Sequence, residues 1–364
     1  MRICYLADGG SIHTQKWVNY FAEKGYDVHL ISLPFTGDLH RNVKLHQLKP
    51  LRRKRLFSRI IPAIPTKSLV GSIRPDILHA HYITDYGFWG SLTGYHPFVL
   101  TAWGSDVLID VTASRLSRLS VSFALARATC ITCDGQRVLE RIVQLGVPRR
   151  KIHLVCHGVD TENFNSDKKD PGFKHKLQLP ADSLTVISLR NLRPVYDVES
   201  LIRAAPIVLA RVPRTRFIVA GNGAQRSYLE SLARSLGVAD AIRFVGLISN
   251  DEMPQYLASS DVYVSPSLSD SGISASTAEA MASQLPVVVT DVSDNREWVK
   301  DGEGGFVVPP KQPTALAHAI VYLLQNESVR TEFGAINRKI IQQRNEYKEQ
   351  MKLVERLYQE LMLG

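Results

Sequence analysis

Residues 184–220 read LTVISLRNLRPVYDVESLIRAAPIVLARVPRTRFIVA. Leu184–Leu189 and Arg216–Ala220 are short, largely apolar runs that predict strands, and between them Val198–Ala210 repeats apolar residues at helical spacing. Apolar residues that run continuously along a strand, rather than alternating, are typical of parallel sheets covered on both faces. This stretch therefore predicts a strand–helix–strand unit of an α/β fold.

The same alternation runs through the chain and predicts two doubly wound domains. Predicted strands of the first half are Arg2–Ala7, Asp27–Ser32, Asp76–Ala80, Phe98–Thr101, Thr129–Cys133 and Ile152–Val155. Those of the second half continue with Ile242–Val245, Val262–Val264, Val287–Thr290 and Phe306–Val308. Helices are predicted, among others, over Thr14–Lys24, Ser114–Ala126, Arg226–Leu236 and Thr314–Leu324. A chain of 364 residues also exceeds the usual size of one core.

The boundary between the two domains is predicted from a change in pattern. His157-Gly158-Val159-Asp160 ends the first series, and 161–171 is polar without an apolar period. We expect a Rossmann-like domain over 1–160, a linker over 161–171, a second Rossmann-like domain over 172–326, and helices over 327–364 that pack across the domain interface or on the first domain. Open parallel sheets bind ligands at the carboxyl ends of their strands, so the cleft between facing sheets is the expected site.

Composition narrows the class of protein. The chain is 45% hydrophobic and 22% charged, has few cysteines, and contains no apolar run of about 20 residues. Its start does not resemble a signal peptide, so a cytoplasmic protein is expected. The net charge is +9, and residues 49–62 mix basic with apolar side chains. That segment suits peripheral contact with the inner face of the plasma membrane, although a solvated helix face accounts for it equally; no nucleic-acid motif accompanies it.

Candidate residues of the first half follow its strands. Gly9 and Gly10 precede a helix, where paired glycines let a backbone approach a donor substrate, although a tight turn gives the same sequence. His13, His81 and Trp103 are predicted to bind an acceptor by hydrogen bonding or ring stacking. The first half has neither the Gly-x-Gly-x-x-Gly motif of dinucleotide-binding folds nor a Walker phosphate-binding loop.

A metal site is not expected. Cys130 and Cys133 lie within a strand, and a tetrahedral zinc site would need two further ligands. The sequence also lacks an Asp-x-Asp motif, so a donor site bridged by a metal is not predicted.

In the second half, Arg190 and Arg193 follow a strand, and their guanidinium groups are suited to bidentate binding of a diphosphate. Asn222 lies in a glycine turn after the next strand, with room for a ligand. The small residues 271–275 precede a helix whose free amides and dipole favour phosphate; they are Ser271, Gly272, Ile273, Ser274 and Ala275.

Glu279 has two possible roles. Ser276-Thr277-Ala278-Glu279 matches a capping box, in which Ser276 caps the helix and Glu279 steadies its first turn. Alternatively, the carboxylate turns outward and accepts hydrogen bonds from a ribose diol.

The segment from Glu279 to Val288, EAMASQLPVV, resembles the Glu-Ala-Met-Ala-x-Gly-x-Pro-Val-Val block of retaining glycosyltransferases of family 4, which have the GT-B fold. Gly9-Gly10, His157–Asp160, Val219–Gly223 and Asp301–Phe306 agree in order. The resemblance implies that the second domain holds a nucleoside-diphosphate sugar, with UDP or GDP as the nucleotide, and that the first binds the acceptor. It places Glu279 on the ribose and the loop amides on the diphosphate, without a cofactor.

The sequence departs from the family pattern at three places. Ser271 stands where the family has the first Glu of its Glu-x7-Glu motif, so Asp270 takes over that contact or nothing does. Asn191 and Tyr196 stand at the family's Arg and Lys positions, so Arg190 or Arg193 must supply the positive charge. Trp103 stands near the family's proposed catalytic His, which leaves Asp106 or His81 as weaker candidates.

The resemblance implies metal-independent transfer of a sugar to an acceptor hydroxyl with retention of configuration, in surface polysaccharide or glycolipid synthesis. A nucleotide-sugar epimerase of the same fold and a non-catalytic nucleotide-sugar-binding protein remain as alternatives.

Overall fold

The computed structural model describes residues 1–49 and 62–363. The basic segment predicted to touch a membrane lies outside them, except for its end residues Lys49 and Pro62. Contacts divide the chain into two units. The first unit comprises Met1–His157 with Glu349–Gly364, and the second comprises Gly158–Lys348.

The first unit is built on a seven-stranded parallel sheet with the order β3-β2-β1-β4-β5-β6-β7. Its strands are β1 (Arg2–Leu6), β2 (Asp27–Ser32), β3 (Lys44–Gln47), β4 (Ile77–His81), β5 (Phe98–Ala102), β6 (Cys130–Cys133) and β7 (Ile152–Leu154). Ile3 in β1 pairs with Val28 on one side and with Ile77 on the other. All three side chains are fully buried, as expected for a parallel sheet covered on both faces.

Helices cover this sheet. They are α1 (Ile12–Glu23), α2 (Ala63–Ile73), α3 (Phe88–Thr93), α4 (Ser105–Leu108), α5 (Asp110–Ala113), α6 (Arg115–Arg127) and α7 (Gln136–Gln144), with a π-helical turn over Ile83–Gly87. Their buried faces meet the sheet in one core that includes Leu6, Leu78, Leu100, Ile131 and Ile142.

The second unit repeats the plan on a six-stranded sheet with the order β10-β9-β8-β11-β12-β13. Its strands are β8 (Leu184–Leu189), β9 (Thr215–Ala220), β10 (Ile242–Gly246), β11 (Val262–Ser265), β12 (Val287–Thr290) and β13 (Gly305–Val308). Its helices are α8 (Phe173–Lys176), α9 (Val198–Arg211), α10 (Arg226–Ser235), α11 (Met253–Ala258), α12 (Ala275–Ala282), α13 (Asn295–Trp298), α14 (Pro313–Gln325) and α15 (Glu327–Arg344). In both sheets the strand order reverses at the first strand of the unit, which is the arrangement of doubly wound folds.

All twelve predicted strands are confirmed to within about one residue at each end, and one strand was missed. β3 is the edge strand of the first sheet, and three of its four residues are exposed. Because its sequence Lys-Leu-His-Gln is mostly polar, it carries no apolar run that would predict a strand.

The predicted linker, 161–171, belongs by its contacts to the second unit. The guanidinium of Arg338 donates to the carbonyl oxygens of Thr161 and Phe164, at 3.1 and 3.0 Å, and the amide of Asp170 donates to the Ser259 hydroxyl. The contact boundary falls earlier, between His157 and Gly158.

The last helix, α16 (Tyr347–Leu363), contributes most of its length to the first unit. Tyr358 is fully buried, and its hydroxyl lies 3.0 Å from that of Tyr5 in β1 and in hydrogen-bond contact with Nδ1 of His79 in β4. The network continues from Nε2 of His79 to Thr101 and on to Thr132. A polar network inside the first unit therefore fixes this helix against four strands.

Candidate functional site

Arg190 and Asp270 form a buried ion pair at the carboxyl ends of neighbouring strands of the second unit. Arg190 follows β8, and Asp270 lies in the loop after β11, which pairs with β8. Each side chain is 9% exposed. The Arg190 guanidinium also donates to the Ser276 hydroxyl at 3.3 Å and lies 4.4 Å above the ring of Tyr196. We call these four residues the arginine site.

Arg190 carries a permanent positive charge, which is paired with the Asp270 carboxylate inside the arginine site. Burial lowers the pKa of Arg190, but the Asp270 carboxylate together with Tyr263 and Tyr196 outweighs this effect, and the net pKa is raised. Nε of Arg190 is buried and has no hydrogen-bond partner. A buried donor without an acceptor is costly, so an acceptor placed beside this N–H would stabilise the site.

The loop that carries Asp270 is held from two sides. The amide of Leu268 donates to the Val195 carbonyl at 2.8 Å, and the amide of Asp270 donates to the Ser293 hydroxyl at 2.8 Å. Gly272 has a φ of 53°, in the left-handed region that favours glycine. The loop therefore enters α12 along a defined path.

Ser274, and not Ser276, caps α12. Its backbone is extended, and its hydroxyl accepts from the Thr277 amide at 3.3 Å. The predicted capping box is wrong because the helix begins at Ala275, which places Ser276 inside its first turn. The Ser276 hydroxyl instead lies 2.8 Å from that of Tyr263. Glu279 lies one turn after Ala275, beyond the third helical position that a capping box uses, and it is half-buried.

The amides at the start of α12 remain available to a ligand. Among the described residues, the backbone N–H groups of Gly272, Ile273, Ala275 and Ser276 have no acceptor. The first amides of a helix lack partners within it and face the positive end of its dipole. With Arg190 bonded to Ser276, this helix start combines free donors with a fixed cation, an arrangement suited to phosphate.

Two further predicted donor residues, Arg193 and Asn222, lie outside the arginine site. Arg193 is exposed. The glycines around Asn222 are needed for backbone packing, because a Cβ at Gly221 would meet the Arg190 carbonyl oxygen at 2.5 Å and one at Gly223 would meet that of Leu192 at 2.2 Å. Close packing accounts for both glycines, and a contact of Asn222 with a donor stays a prediction. The exposed Asn222 side chain accepts from the Gly223 amide.

In the first unit, Gly9 and Gly10 also have internal partners. The Gly9 amide donates to Ser32 at 2.9 Å, and a Cβ there would meet the Phe35 ring at 2.2 Å. The Gly10 amide donates to Asp8 at 3.0 Å. Close packing accounts for Gly9, and a contact of either glycine with a donor stays a prediction.

Three predicted acceptor residues meet in the first unit. The ring of His157 stacks on His13 at 4.2 Å and on Trp103 at 4.8 Å between ring centres, and Trp17 and His81 pack edge-on to Trp103. We call these five residues the ring cluster. Trp103, His13 and His157 are partly exposed, so they can present ring faces and nitrogen atoms to a polyhydroxylated ligand.

The acidic residue that contacts the ring cluster is Asp134. Nε2 of His157 lies 2.8 Å from its carboxylate, which is nearly fully buried, while Nδ1 has no hydrogen-bond partner. Burial lowers the pKa of His13 well below its usual range, and the neighbouring His157 adds to the effect. His13 is therefore neutral near pH 7.

Sequence reasoning missed Trp17, Asp134 and His157 as members of this site. Trp17 follows His13 by four residues on α1, a spacing that places both on one helix face and could have been used. Asp134 follows directly after β6, and His157 follows β7 by three residues, at the same sheet edge as the predicted residues.

His81 and Asp106 lie deeper than predicted. His81 is 2% exposed, both ring nitrogens lack hydrogen-bond partners, and burial lowers its pKa to about 3. Asp106 is fully buried and accepts from the amides of Ile83, Trp103 and Val107 at 3.0–3.2 Å. Asp106 thus ties together the loops after β4 and β5, a structural role instead of the expected catalytic one.

In the described ranges, no three His, Cys, Asp or Glu side chains form a group that could hold a metal ion. Within the same ranges, no helix is both long and apolar enough to cross a membrane.

Comparison with known proteins agrees with this architecture. Residues 170–340 match the family model "Glycosyl transferases group 1", and residues 2–135 match "Glycosyl transferase 4-like". The HepE protein of Anabaena, solved in complex with UDP and glucose, superposes with a TM-score of 0.84 at 17% identity and covers 99% of this chain and 100% of its own.

Sequence relatives point the same way. An uncharacterized glycosyltransferase of Methanocaldococcus jannaschii is 28% identical over 343 residues, covering 89% of this chain and 87% of the relative. A GDP-mannose-dependent phosphatidylinositol monomannoside mannosyltransferase of Mycobacterium tuberculosis is 27% identical over 198 residues, 53% of this chain and 51% of the relative.

The two doubly wound units and their structural neighbours define a protein of the GT-B class. The two family matches, which lie one in each half of the chain, identify it as a glycosyltransferase whose second half matches the group 1 family.

Proposed function

We propose that the protein transfers a sugar from a nucleoside-diphosphate sugar, with UDP or GDP as the nucleotide, to an acceptor hydroxyl with retention of configuration. The observation that carries this proposal is the start of α12, which has four amides without an acceptor and whose Ser276 hydroxyl accepts from the buried guanidinium of Arg190. Unpaired donors and a fixed cation at a strand end are suited to a pyrophosphate.

Each unit has a separate role in this proposal. In the second unit, the amides of 272–276 and Arg190 hold the diphosphate, and Glu279 accepts from the ribose. Asp270 orients Arg190, since the two side chains are ion-paired. In the first unit, the ring cluster binds the acceptor, with His13, Trp103 and His157 offering ring faces and polar atoms.

The chemistry follows from where negative charge develops. As the glycosidic bond to the diphosphate breaks, charge grows on the leaving phosphate, and preorganised donors stabilise it without having to reorient. Arg190 and the α12 dipole supply that stabilisation, and the leaving phosphate accepts the proton of the attacking hydroxyl on the same face of the sugar. On this proposal the reaction needs no metal ion.

The acceptor and location form a further part of the proposal. One relative acts on a phosphatidylinositol monomannoside, as its name states, and the family match places this chain among related transferases. We propose a lipid-linked or glycan acceptor of surface polysaccharide or glycolipid synthesis, reached from the cytoplasmic side of the membrane, with residues 49–62 as one candidate contact.

The direct test is incubation with a panel of nucleotide sugars, with and without candidate acceptors, followed by NMR of the products. We expect release of nucleoside diphosphate only with an acceptor, and a product whose anomeric configuration matches that of the donor. A new sugar nucleotide formed from donor alone would indicate an epimerase. Binding without release of nucleotide under any condition would indicate a non-catalytic protein.

The arginine site is tested by the double variant Arg190→Gln/Asp270→Asn. This change removes both charges together, so neither is left buried without its partner, which would be strongly destabilising. Turnover should fall at least a hundredfold, because removal of one preorganised donor costs about that much. Arg211→Gln, at an exposed position of the same unit outside the predicted site, is the matched control. Equal turnover in the double variant and the control would contradict the role given to Arg190.

A further inference from the structure

A cavity of about 480 Å³ opens in the second unit at the edge strand β13. It is lined by β13, by the turn before that strand, by one face of α14 and by Phe333 of α15. Its volume lies in the range of about 300–1,000 Å³ that is typical of small-molecule sites. None of its lining residues belongs to the arginine site or to the ring cluster, so the cavity is a separate feature of this unit.

Three aromatic rings meet in this cavity. The ring of Phe306 packs edge-on against that of Tyr322, with ring centres 5.5 Å apart, and lies 6.0 Å from that of Phe333. Phe333 is buried, whereas Tyr322 is 47% exposed. A large aromatic ring that is supported by packed neighbours offers a rigid apolar face to a ligand at a low cost in conformational entropy.

The space beside Tyr322 is left open by two alanines. The residues of α14 that line the cavity are spaced by three and four positions and share one helix face; they are Ala315, His318, Ala319 and Tyr322. Since alanine has no side-chain atom beyond Cβ, the surface between His318 and Tyr322 forms a depression. Leu316 and Ile320 are buried on the opposite side of the helix, which holds this face in place.

Polar atoms surround the rings. Oδ1 of Asp301 accepts from the Val307 amide at 2.9 Å, which fixes the Asp301 carboxylate beside β13. Within the part of the chain that the structure describes, the second oxygen of this carboxylate, the Tyr322 hydroxyl and the ring nitrogens of His318 have no hydrogen-bond partner. Together they provide both donors and acceptors for hydroxyl groups.

This lining distinguishes between classes of ligand. It contains no arginine or lysine, and its carboxylate, Asp301, would repel a phosphate group. An acyl chain would cover Asp301 and the Tyr322 hydroxyl without bonding to either of them, which is unfavourable. A neutral sugar has hydroxyls for these polar groups and C–H faces that pack on an aromatic ring.

We propose that this cavity binds a neutral oligosaccharide. The ring of Tyr322 packs on the apolar face of a sugar unit, and Asp301 and His318 bond to its hydroxyls. The proposal goes beyond sugar transfer, because it adds a carbohydrate-binding site that takes no part in the reaction. It does not require that the arginine site bind a nucleotide.

The test is titration of the full chain with maltotetraose, cellotetraose and α-1,6-mannotetraose, followed by saturation-transfer NMR. We expect at least one of them to bind with a dissociation constant below about 10 mM. Tyr322→Ala should weaken this binding about tenfold or more, because it removes the exposed ring face. Asp301→Asn keeps an oxygen for the Val307 amide and should weaken binding about fivefold, because it removes the charged acceptor.

Matched controls are Tyr228→Ala and Asp240→Asn, at exposed positions of the same unit outside the cavity, and both should bind as the wild type does. Thermal melting checks that all four variants fold.

Absence of binding by all three oligosaccharides, or wild-type affinity in Tyr322→Ala, would overturn the proposal. If binding were lost in Trp103→Ala and kept in Tyr322→Ala, the oligosaccharide would lie in the ring cluster instead. Binding of decanoate in place of the three oligosaccharides, lost in Tyr322→Ala, would assign the cavity to an acyl chain and overturn the proposal as well. Because no sugar nucleotide is present, none of these results bears on the proposed transfer activity.

Discussion

Arg190 illustrates how far a residue's role follows from its position in the sequence. Its place directly after a strand predicted a functional cation, and the structure places it at the carboxyl end of β8. Its partner Asp270 is 80 residues away, and only the pairing of β8 with β11 brings the two together. A local pattern identifies a residue at a strand end, but its partner depends on strand order, which a local pattern does not specify.

Replacement of Glu279 by Gln tests the ribose role. Donor affinity should fall by tenfold or more, because a hydrogen bond to a charged acceptor contributes about 1.5–3 kcal/mol. The melting temperature is compared in parallel, and any change in it does not come from the cap of α12, which is Ser274. Calorimetric titration with the donor measures the first quantity, and thermal unfolding measures the second.

Ser274→Ala is the control for this experiment. It should lower stability by about 1 kcal/mol, which is typical for loss of a cap. If Glu279→Gln instead lowered stability and left donor affinity intact, the ribose role would be wrong.

His81 should make the first unit more sensitive to acid. Burial lowers its pKa to about 3, so the folded protein keeps the ring neutral while the unfolded chain protonates it near its ordinary pKa of 6.5. Its contribution to stability is therefore complete above that pH and is lost as the pH falls toward 3. Between pH 8 and pH 5, the wild type should lose about 2 kcal/mol more than His81→Leu.

Urea unfolding followed by tryptophan fluorescence measures this difference. Three of the four tryptophans, Trp17, Trp89 and Trp103, belong to the first unit. The same pH dependence in wild type and variant would show that His81 does not stay neutral in the folded protein.

The long helices and the buried strands were predicted from the spacing of apolar residues alone. The edge strand β3 and the cap of α12 were not. β3 is exposed and lacks an apolar run. The start of α12 is ambiguous in sequence, because Ser274 and Ser276 each precede a polar residue by three positions. The left-handed Gly272 and the extended backbone of Ser274 decide between them, and both depend on how the loop is held by Val195 and Ser293.

The docking of α16 depends on the Tyr358 hydroxyl. Tyr358→Phe should destabilise the first unit by about 1–3 kcal/mol, because it leaves Nδ1 of the buried His79 without its partner. Tyr26→Phe is the matched control: the Tyr26 hydroxyl also bonds to α16, through Glu355, but at a partly exposed site, so its loss should cost less. Equal losses in the two variants, measured by urea unfolding, would contradict the importance given to the buried network.

For the whole molecule, the repeated strand–helix period predicted two doubly wound sheets, and the structure confirms them. Composition and period cannot reveal packing between distant segments, which is why the close contact of Gly9 with Phe35 and the burial of Asp106 beneath two loops were not predicted. The ring cluster was predicted in part, because strand ends of one parallel sheet meet at one edge, but the stacking of His157 on both His13 and Trp103 depends on the fold.

The central claim is that the start of α12 and Arg190 together bind the pyrophosphate of a sugar donor. Calorimetric titration of the wild type with UDP, GDP and the corresponding monophosphates tests it most directly. We predict that at least one diphosphate binds with a dissociation constant below about 1 mM, at least tenfold more tightly than its monophosphate, and that Arg190→Gln/Asp270→Asn loses this preference. Absence of binding by either diphosphate, or equal affinity for diphosphate and monophosphate, would contradict the claim.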